Sequence, residues 1–237
     1  AWILAGLVPT RTVQAQGPTD PVRYARPSVA GSGDCSSWAN ACTLQTALSG
    51  AVDGQQVWAA AGVHFPGSTS GSTFALKNGV GVYGGFVGSE TSLDQRDAAA
   101  NPTVLSGDIG VSGNYTDNCT HVVKADTVGS SALLDGFTIT GGYATGSYPN
   151  GNGGGIFVTN ASPTLQNLII RDNRASATGG GLYATTSSGP SLSYVTFDQN
   201  FAQNAGGGMY TSGGYATVLS NVTFSMNRTN GNGGGLY

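Results

Sequence analysis

Apolar residues recur over the last third of the chain at a spacing far longer than a helical turn. Leu165, Leu168, Ile170 and Asn173 return as Leu192, Val195, Phe197 and Asn200, then as Leu219, Val222, Phe224 and Asn227, each step being 27 residues. Between them a glycine triplet keeps the same beat. Gly153-Gly154-Gly155-Ile156-Phe157 reappears as Gly179 to Tyr183, Gly206 to Tyr210 and Gly233 to Tyr237, at steps of 26, 27 and 27. A fixed period of this size marks a solenoid, whose units cannot bury their apolar faces alone.

The pattern inside each unit favours strands. Val, Ile, Thr, Phe and Tyr dominate, and glycines and asparagines interrupt any run long enough for a helical solenoid. Leu168-Ile169-Ile170 and Val195-Thr196-Phe197 alternate, which predicts outer positions at Ile169, Thr196 and Thr223. The leading Leu165, Leu192 and Leu219 fall three residues earlier, predicting a bend or bulge. Leu134, Phe137 and Ile139 repeat the internal spacing about 31 residues upstream, with the polar stretch Tyr143 to Asn152 absorbing the excess. Regular coils are therefore expected from about 132.

Upstream, short apolar runs bounded by turn residues predict strands at Val22 to Ala25, Val57 to Ala61, Val80 to Phe86, Val104 to Ile109 and His121 to Ala125. Trp38, Ala41, Leu44 and Leu48 recur at helical spacing after Ser36 and Ser37, predicting a helix over about 37–49. Ser89 to Ala98 suggests a turn or two of helix on the outside.

Stacked coils turn equivalent residues into ladders about 4.8 Å apart. Asn173, Asn200 and Asn227 then form a structural asparagine ladder at a turn, where asparagine tolerates left-handed backbone and bonds the neighbouring coil. If Ile156, Leu182, Met209 and Leu236 point inward, Phe157, Tyr183, Tyr210 and Tyr237 form an outer aromatic row. Such a row suits sugar rings or a partner surface; its alternative role is to shield the sheet or lie beneath loops.

Composition narrows the function. The 237 residues include 39 glycines, only 9% are charged, and the net charge is -3. With two lysines and no basic cluster, neither nucleic acid nor an anionic membrane is an expected partner, and no direct membrane insertion is expected in this segment. The apolar start, Trp2 to Val8 running into Val13-Gln14-Ala15, is expected to be a signal-peptide remnant at 1–15, with a short strand or a truncated anchor as alternatives. Cys35 and Cys42 are close enough to bridge in an oxidising compartment, leaving Cys119 alone. His64 and His121 do not form a metal-ligand spacing with these cysteines, and no metal or other cofactor is expected.

The F-x-x-N segments at Phe197 to Asn200 and Phe224 to Asn227, interleaved with glycine triplets, resemble the repeats of polymorphic outer membrane proteins. Gly33 to Ala41, Val80 to Phe86 and Leu134 to Gly142 resemble the opening coils of secreted bacterial proteins of the pectin-lyase-like superfamily. The resemblance covers about 22–237. It implies one all-β solenoid domain, a right-handed parallel β-helix whose open end is capped by the helix at 37–49. The fourth glycine triplet stops at Tyr237 with no cap after it, so a longer protein is expected.

Enzymes of that superfamily cut acidic polysaccharides with carboxylates, often calcium, and a basic residue. In the regular coils the acids are Asp172 and Asp198 and the bases Arg171, Arg174 and Arg228. Register predicts that Arg171 stacks on Asp198 as a stabilising pair and Asp172 on Gln199, leaving no carboxylate pair. Asp108, Asp126 and Asp135 offer at best a calcium site. No residue stands out as catalytic, and no serine elbow accompanies a histidine. The expected function is thus a non-catalytic exported β-helix, an adhesin-like passenger or stalk meeting carbohydrate or a cell-surface partner. The alternative is a polysaccharide lyase or hydrolase whose catalytic coils lie outside this sequence.

Overall fold

The computed structural model describes residues 22–185 and 187–237; the expected leader at 1–15 lies outside them. Each regular coil contributes one strand to each of three parallel sheets. The long sheet takes Thr164–Arg171, Ser191–Asp198 and Val218–Ser225, paired as Leu165↔Leu192↔Leu219 and Ile170↔Phe197↔Phe224. A second sheet takes Ile156–Thr159, Leu182–Thr185 and Met209–Ser212. A short sheet takes Arg174–Ala175, Phe201–Ala202 and Arg228–Thr229. The 27-residue beat is thus one circuit of the coil.

Inward rows of Leu165, Leu168 and Ile170 and their equivalents Leu192, Val195 and Phe197 are buried, and Phe197 stacks on Phe224 at 5.0 Å within the core. The expected bulge is present. Asn167, Tyr194 and Asn221 adopt φ of 52 to 55°, so two residues rather than one separate successive inward side chains.

Earlier coils make the same long face from two pieces. Gln56–Ala60 with Gly62–His64, Gly81–Phe86 with Thr103–Ser106, and Leu133–Asp135 with Thr138–Thr140 each supply two half-strands. Both halves of the last pair join Thr164–Arg171, through Leu134↔Leu165 and Ile139↔Ile170. The expected strand Val104 to Ile109 ends at Ser106, where the chain turns at Gly107. A Cβ there would meet the Gly141 carbonyl oxygen at 2.6 Å.

The chain leaves the long face at 87–102, and this excursion folds back over its outside. Burial opposes charge on Glu90, yet amides of Val87, Gly88 and Ser89 at 2.5 to 2.9 Å outweigh it and hold its pKa below the ordinary range. The Trp38 indole donates to the Glu90 carbonyl at 2.9 Å. Beneath lies an external aromatic cluster, with Trp58 stacked on Phe86 at 4.8 Å and Tyr24 edge-on to Trp38 at 4.9 Å. Although Trp58 points out of the solenoid, it is only 1% exposed.

The predicted helix over 37–49 is divided. Trp38–Asn40 is a 3-10 turn capped by Ser37, and Leu44–Gly50 is an α-helix capped by Thr43, whose hydroxyl accepts the Thr46 amide at 3.2 Å. Between them Cys42 pairs with Ala25, an extension that continuous helix would forbid. Ser36 caps neither element; its amide donates to Asp34. Leu44, Ala47 and Leu48 still bury their side chains over the first coils, so the capping role belongs to the shorter helix. Cys35 and Cys42 are bridged, closing a loop around the 3-10 turn, and Cys119 is free and buried.

Candidate functional site

The asparagine ladder is internal. The Asn200 side-chain oxygen accepts both the backbone and side-chain nitrogens of Asn173 at 3.1 Å, while its amide donates to the Ile170 carbonyl at 2.7 Å. Asn227 repeats this toward Asn200 and Phe197. The left-handed residue at the corner is not the asparagine, however, but the one before it. Asp172, Gln199 and Met226 carry φ of 55, 53 and 47°. The asparagine side chain must turn inward to reach carbonyls of two coils, and the reversal that permits this falls one position earlier.

The aromatic row also forms, and its rings stack. Phe157, Tyr183, Tyr210 and Tyr237 lie 5.5, 5.4 and 5.5 Å apart with interplanar angles of 12 to 17°, and His121 extends the stack at 4.8 Å from Phe157. It is not an open platform along its length, as the expectation of an outward row required. Phe157 is 2% and Tyr183 7% exposed, rising to 52% at Tyr237. Each ring covers its neighbour's face, and Tyr148 packs edge-on against Tyr183. Tyr148 comes from the insertion, which begins only after Ala144, since Tyr143–Ala144 is a strand of the short sheet rather than part of the inserted stretch. For the first two rings, the role beneath a loop describes the geometry.

The expected charge pairing is corrected. Arg171 and Asp198 are in register but form no ion pair; Arg171 lies 3.9 Å from the adjacent Asp172 instead. Asp198 accepts from the neighbouring Gln199 amide at 3.1 Å. Each thus meets the residue next to it at the corner before reaching across a coil. The three candidate calcium aspartates do not converge. Asp108 accepts the Gly113 amide, Asp126 pairs with Lys124 at 3.0 Å, and buried Asp135 is held by Arg96, Gln166 and Asn167. Among the described residues no three His, Cys, Asp or Glu side chains group as a metal site.

A different set does converge, on the short sheet. Register there places Tyr143, Arg174, Phe201 and Arg228 in one row, while Ala144, Ala175 and Ala202 face inward and are buried. Aromatic and guanidinium side chains thus alternate along the axis. The excursion at 107–118 brings Tyr115 over the row, 4.2 Å from the Arg174 guanidinium carbon and 6.0 Å from the Tyr143 ring. The Asn118 amide anchors this excursion on the Gly141 carbonyl at 2.7 Å. Tyr115, Arg174, Phe201 and Arg228, with Asp172, Gln199, Asn200 and Met226 from the corner, line a groove of about 330 Å³, and Tyr143 continues the row beyond it.

Its chemistry is recognisable. A guanidinium held against an aromatic face is oriented and partly desolvated, and it matches a carboxylate through two parallel N–H bonds. Aromatic rungs between such cations offer apolar faces to sugar rings. Arg174 and Arg228 were visible in the sequence as bases of the regular coils, and the step of 27 through Phe201 was the available signal for their alignment. Tyr115 had no such signal, because it comes from a segment outside the repeat.

No family model matches this chain, and no curated protein matches it. Among solved structures it is similar to pectate lyase Pel9A, with a TM-score of 0.56, 13% identity, and alignment over 88% of this chain and 47% of that one. The chain therefore spans 47% of the length of that protein. The likeness shows the fold alone, a right-handed parallel β-helix, and the parallel registers agree with it.

Proposed function

We propose that this chain is a non-catalytic, exported β-helix that binds acidic polysaccharide along the short-sheet groove, as the adhesin-like part of a surface or secreted protein. The observation carrying the reading is the row Tyr143, Arg174, Phe201 and Arg228 with Tyr115 laid over Arg174. Two cations on alternate rungs suit a linear polymer with periodic carboxylates, and the ring between them suits the sugar that connects those groups. Export is supported by the apolar start at 1–15 and the bridged Cys35 and Cys42, since cytosolic thiols stay reduced.

Affinity electrophoresis through gels containing polyuronate, with a neutral glucan as control, tests the groove. Arg174→Ala and Arg228→Ala should each weaken polyuronate retardation about tenfold and leave folding intact, as expected for an exposed charge-assisted contact. Equal retardation by the neutral gel, or no retardation in either, would overturn the reading.

A second reading is supported by the pectate lyase likeness, which aligns with 47% of that protein. On it, this chain is the non-catalytic portion of a polysaccharide lyase or hydrolase whose reacting coils lie elsewhere. Assay of the longer protein on polyuronate, with and without calcium, separates the two. Depolymerisation favours the second.

A further inference from the structure

A separate cavity lies on the second sheet, away from the groove. It measures about 370 Å³, within the range of small-ligand sites. Three segments far apart in sequence wall it: the loop at Ser70 to Thr73, the run Thr120 to Lys124, and Pro149-Asn150 of the insertion. Backbone pairing of the Thr120 amide with the Ser70 carbonyl at 2.8 Å fixes two of these walls together.

His121 is the chemically distinctive member. Its Nδ1 lies 3.0 Å from the Gly153 carbonyl oxygen, and a carbonyl can only accept, so Nδ1 carries the proton. Nε2 is then an unprotonated acceptor, with no hydrogen-bond partner among the described residues. Stacking on Phe157 at 4.8 Å fixes the ring plane. Burial holds His121 below the ordinary histidine range against the opposing bond to the Gly153 carbonyl, with a smaller push in the same direction from the Lys124 charge, and so favours the neutral ring.

The remaining groups decide the ligand class. Ser70, Thr73 and Thr120 supply hydroxyls and Asn150 an amide, so donors and acceptors are mixed. Lys124 is already paired with Asp126 at 3.0 Å, so the local charge is balanced and an anion gains little there. A ligand of many hydroxyls and no charge satisfies this set best. We propose that the cavity binds a single neutral pyranose unit, one of whose hydroxyls donates to His121 Nε2. The site shares the carbohydrate class of the groove but does not depend on it.

Long-range ¹H–¹⁵N spectra of ¹⁵N-histidine-labelled protein test this directly, with free glucose, galactose and mannose as probes. Galacturonic acid and glycerol serve as controls. The expected result is a saturable shift of His121 Nε2 with at least one neutral hexose, little with galacturonic acid or glycerol, and weakening of several fold in Thr120→Val. An unshifted Nδ1–H signal in that variant verifies that the Gly153 bond and ring stack persist. A silent Nε2 with all three hexoses, or a larger response to galacturonic acid, overturns the proposal. Polyuronate retardation measured on the same wild-type sample keeps the readings apart. Retardation with a silent Nε2 removes only the cavity, and a shifted Nε2 without retardation removes only the groove.

Discussion

The two halves of this solenoid hold the same long face in different ways. From Thr164 onward each coil uses one unbroken eight-residue strand, and its corner is secured by an asparagine bonded to the coils on either side. Before that point the face is cut into half-strands, and the intervening segments bring their own fastenings. These are the Cys35–Cys42 bridge, the external cluster of Tyr24, Trp38, Trp58 and Phe86, and the pairing of Arg96 with Asp135. Repetition permits one solution to be reused, whereas each interruption needs a local one. The interrupted half also supplies Tyr115 to the groove and Thr120 to Lys124 to the cavity, so departure from the repeat is where site-building residues enter.

The sharpest way to break the regular half is Asn200→Ala. It removes the acceptor of the Asn173 amide and the donor to the Ile170 carbonyl, both buried, and should cost about 4 kcal/mol at about 1–3 for each orphaned group. Urea denaturation measures the loss; a cost as small as that of a surface substitution would show that backbone pairing alone holds the corner. Arg96→Ala is the counterpart in the interrupted half. Asp135 keeps Gln166 and Asn167 but loses its only opposite charge among the described residues, so about 3 kcal/mol is expected. Replacing Cys35 and Cys42 by alanine should cost about 2 kcal/mol, since the closed loop is short.

The smallest effect concerns pH. Burial depresses the pKa of both His64 and His121 below the ordinary 6.5, each against a bond to a backbone carbonyl. The unfolded chain then takes up protons first as pH falls below that value. Stability is fully present above 6.5 and declines as pH falls toward the depressed folded pKa. Denaturation midpoints across that window should fall in wild type and fall less in His64→Gln. Equal slopes would assign the pH dependence to other groups.

Much of the fold was legible because a coil that recurs in step writes its register directly into the sequence. Leu165, Leu192 and Leu219 pair as their spacing requires, and the offset of 31 locates Leu134 and Ile139 correctly. The left-handed corner was not legible, since Asp172, Gln199 and Met226 share no chemistry; the backbone demand there is met by three different side chains. Nor could alternation foresee that Phe157 and Tyr183 are covered, because the cover comes from other elements rather than from their own strands. The helix at 37–49 failed for a related reason. Trp38 and Ala41 fit a helical period, but the pairing of Cys42 with Ala25 requires extended chain between them.

The corner residues Asp172, Gln199 and Met226 also line the groove. A position whose backbone shape is set by the turn, and whose side chain faces outward, is free to change identity without altering the coil. Insertion of one further 27-residue circuit would lengthen the groove by a single rung and add one such adjustable position. On the proposed polysaccharide-binding reading, the solenoid would act as a ruler, the number of coils setting the length of polymer engaged and the corner side chains the decorations accepted.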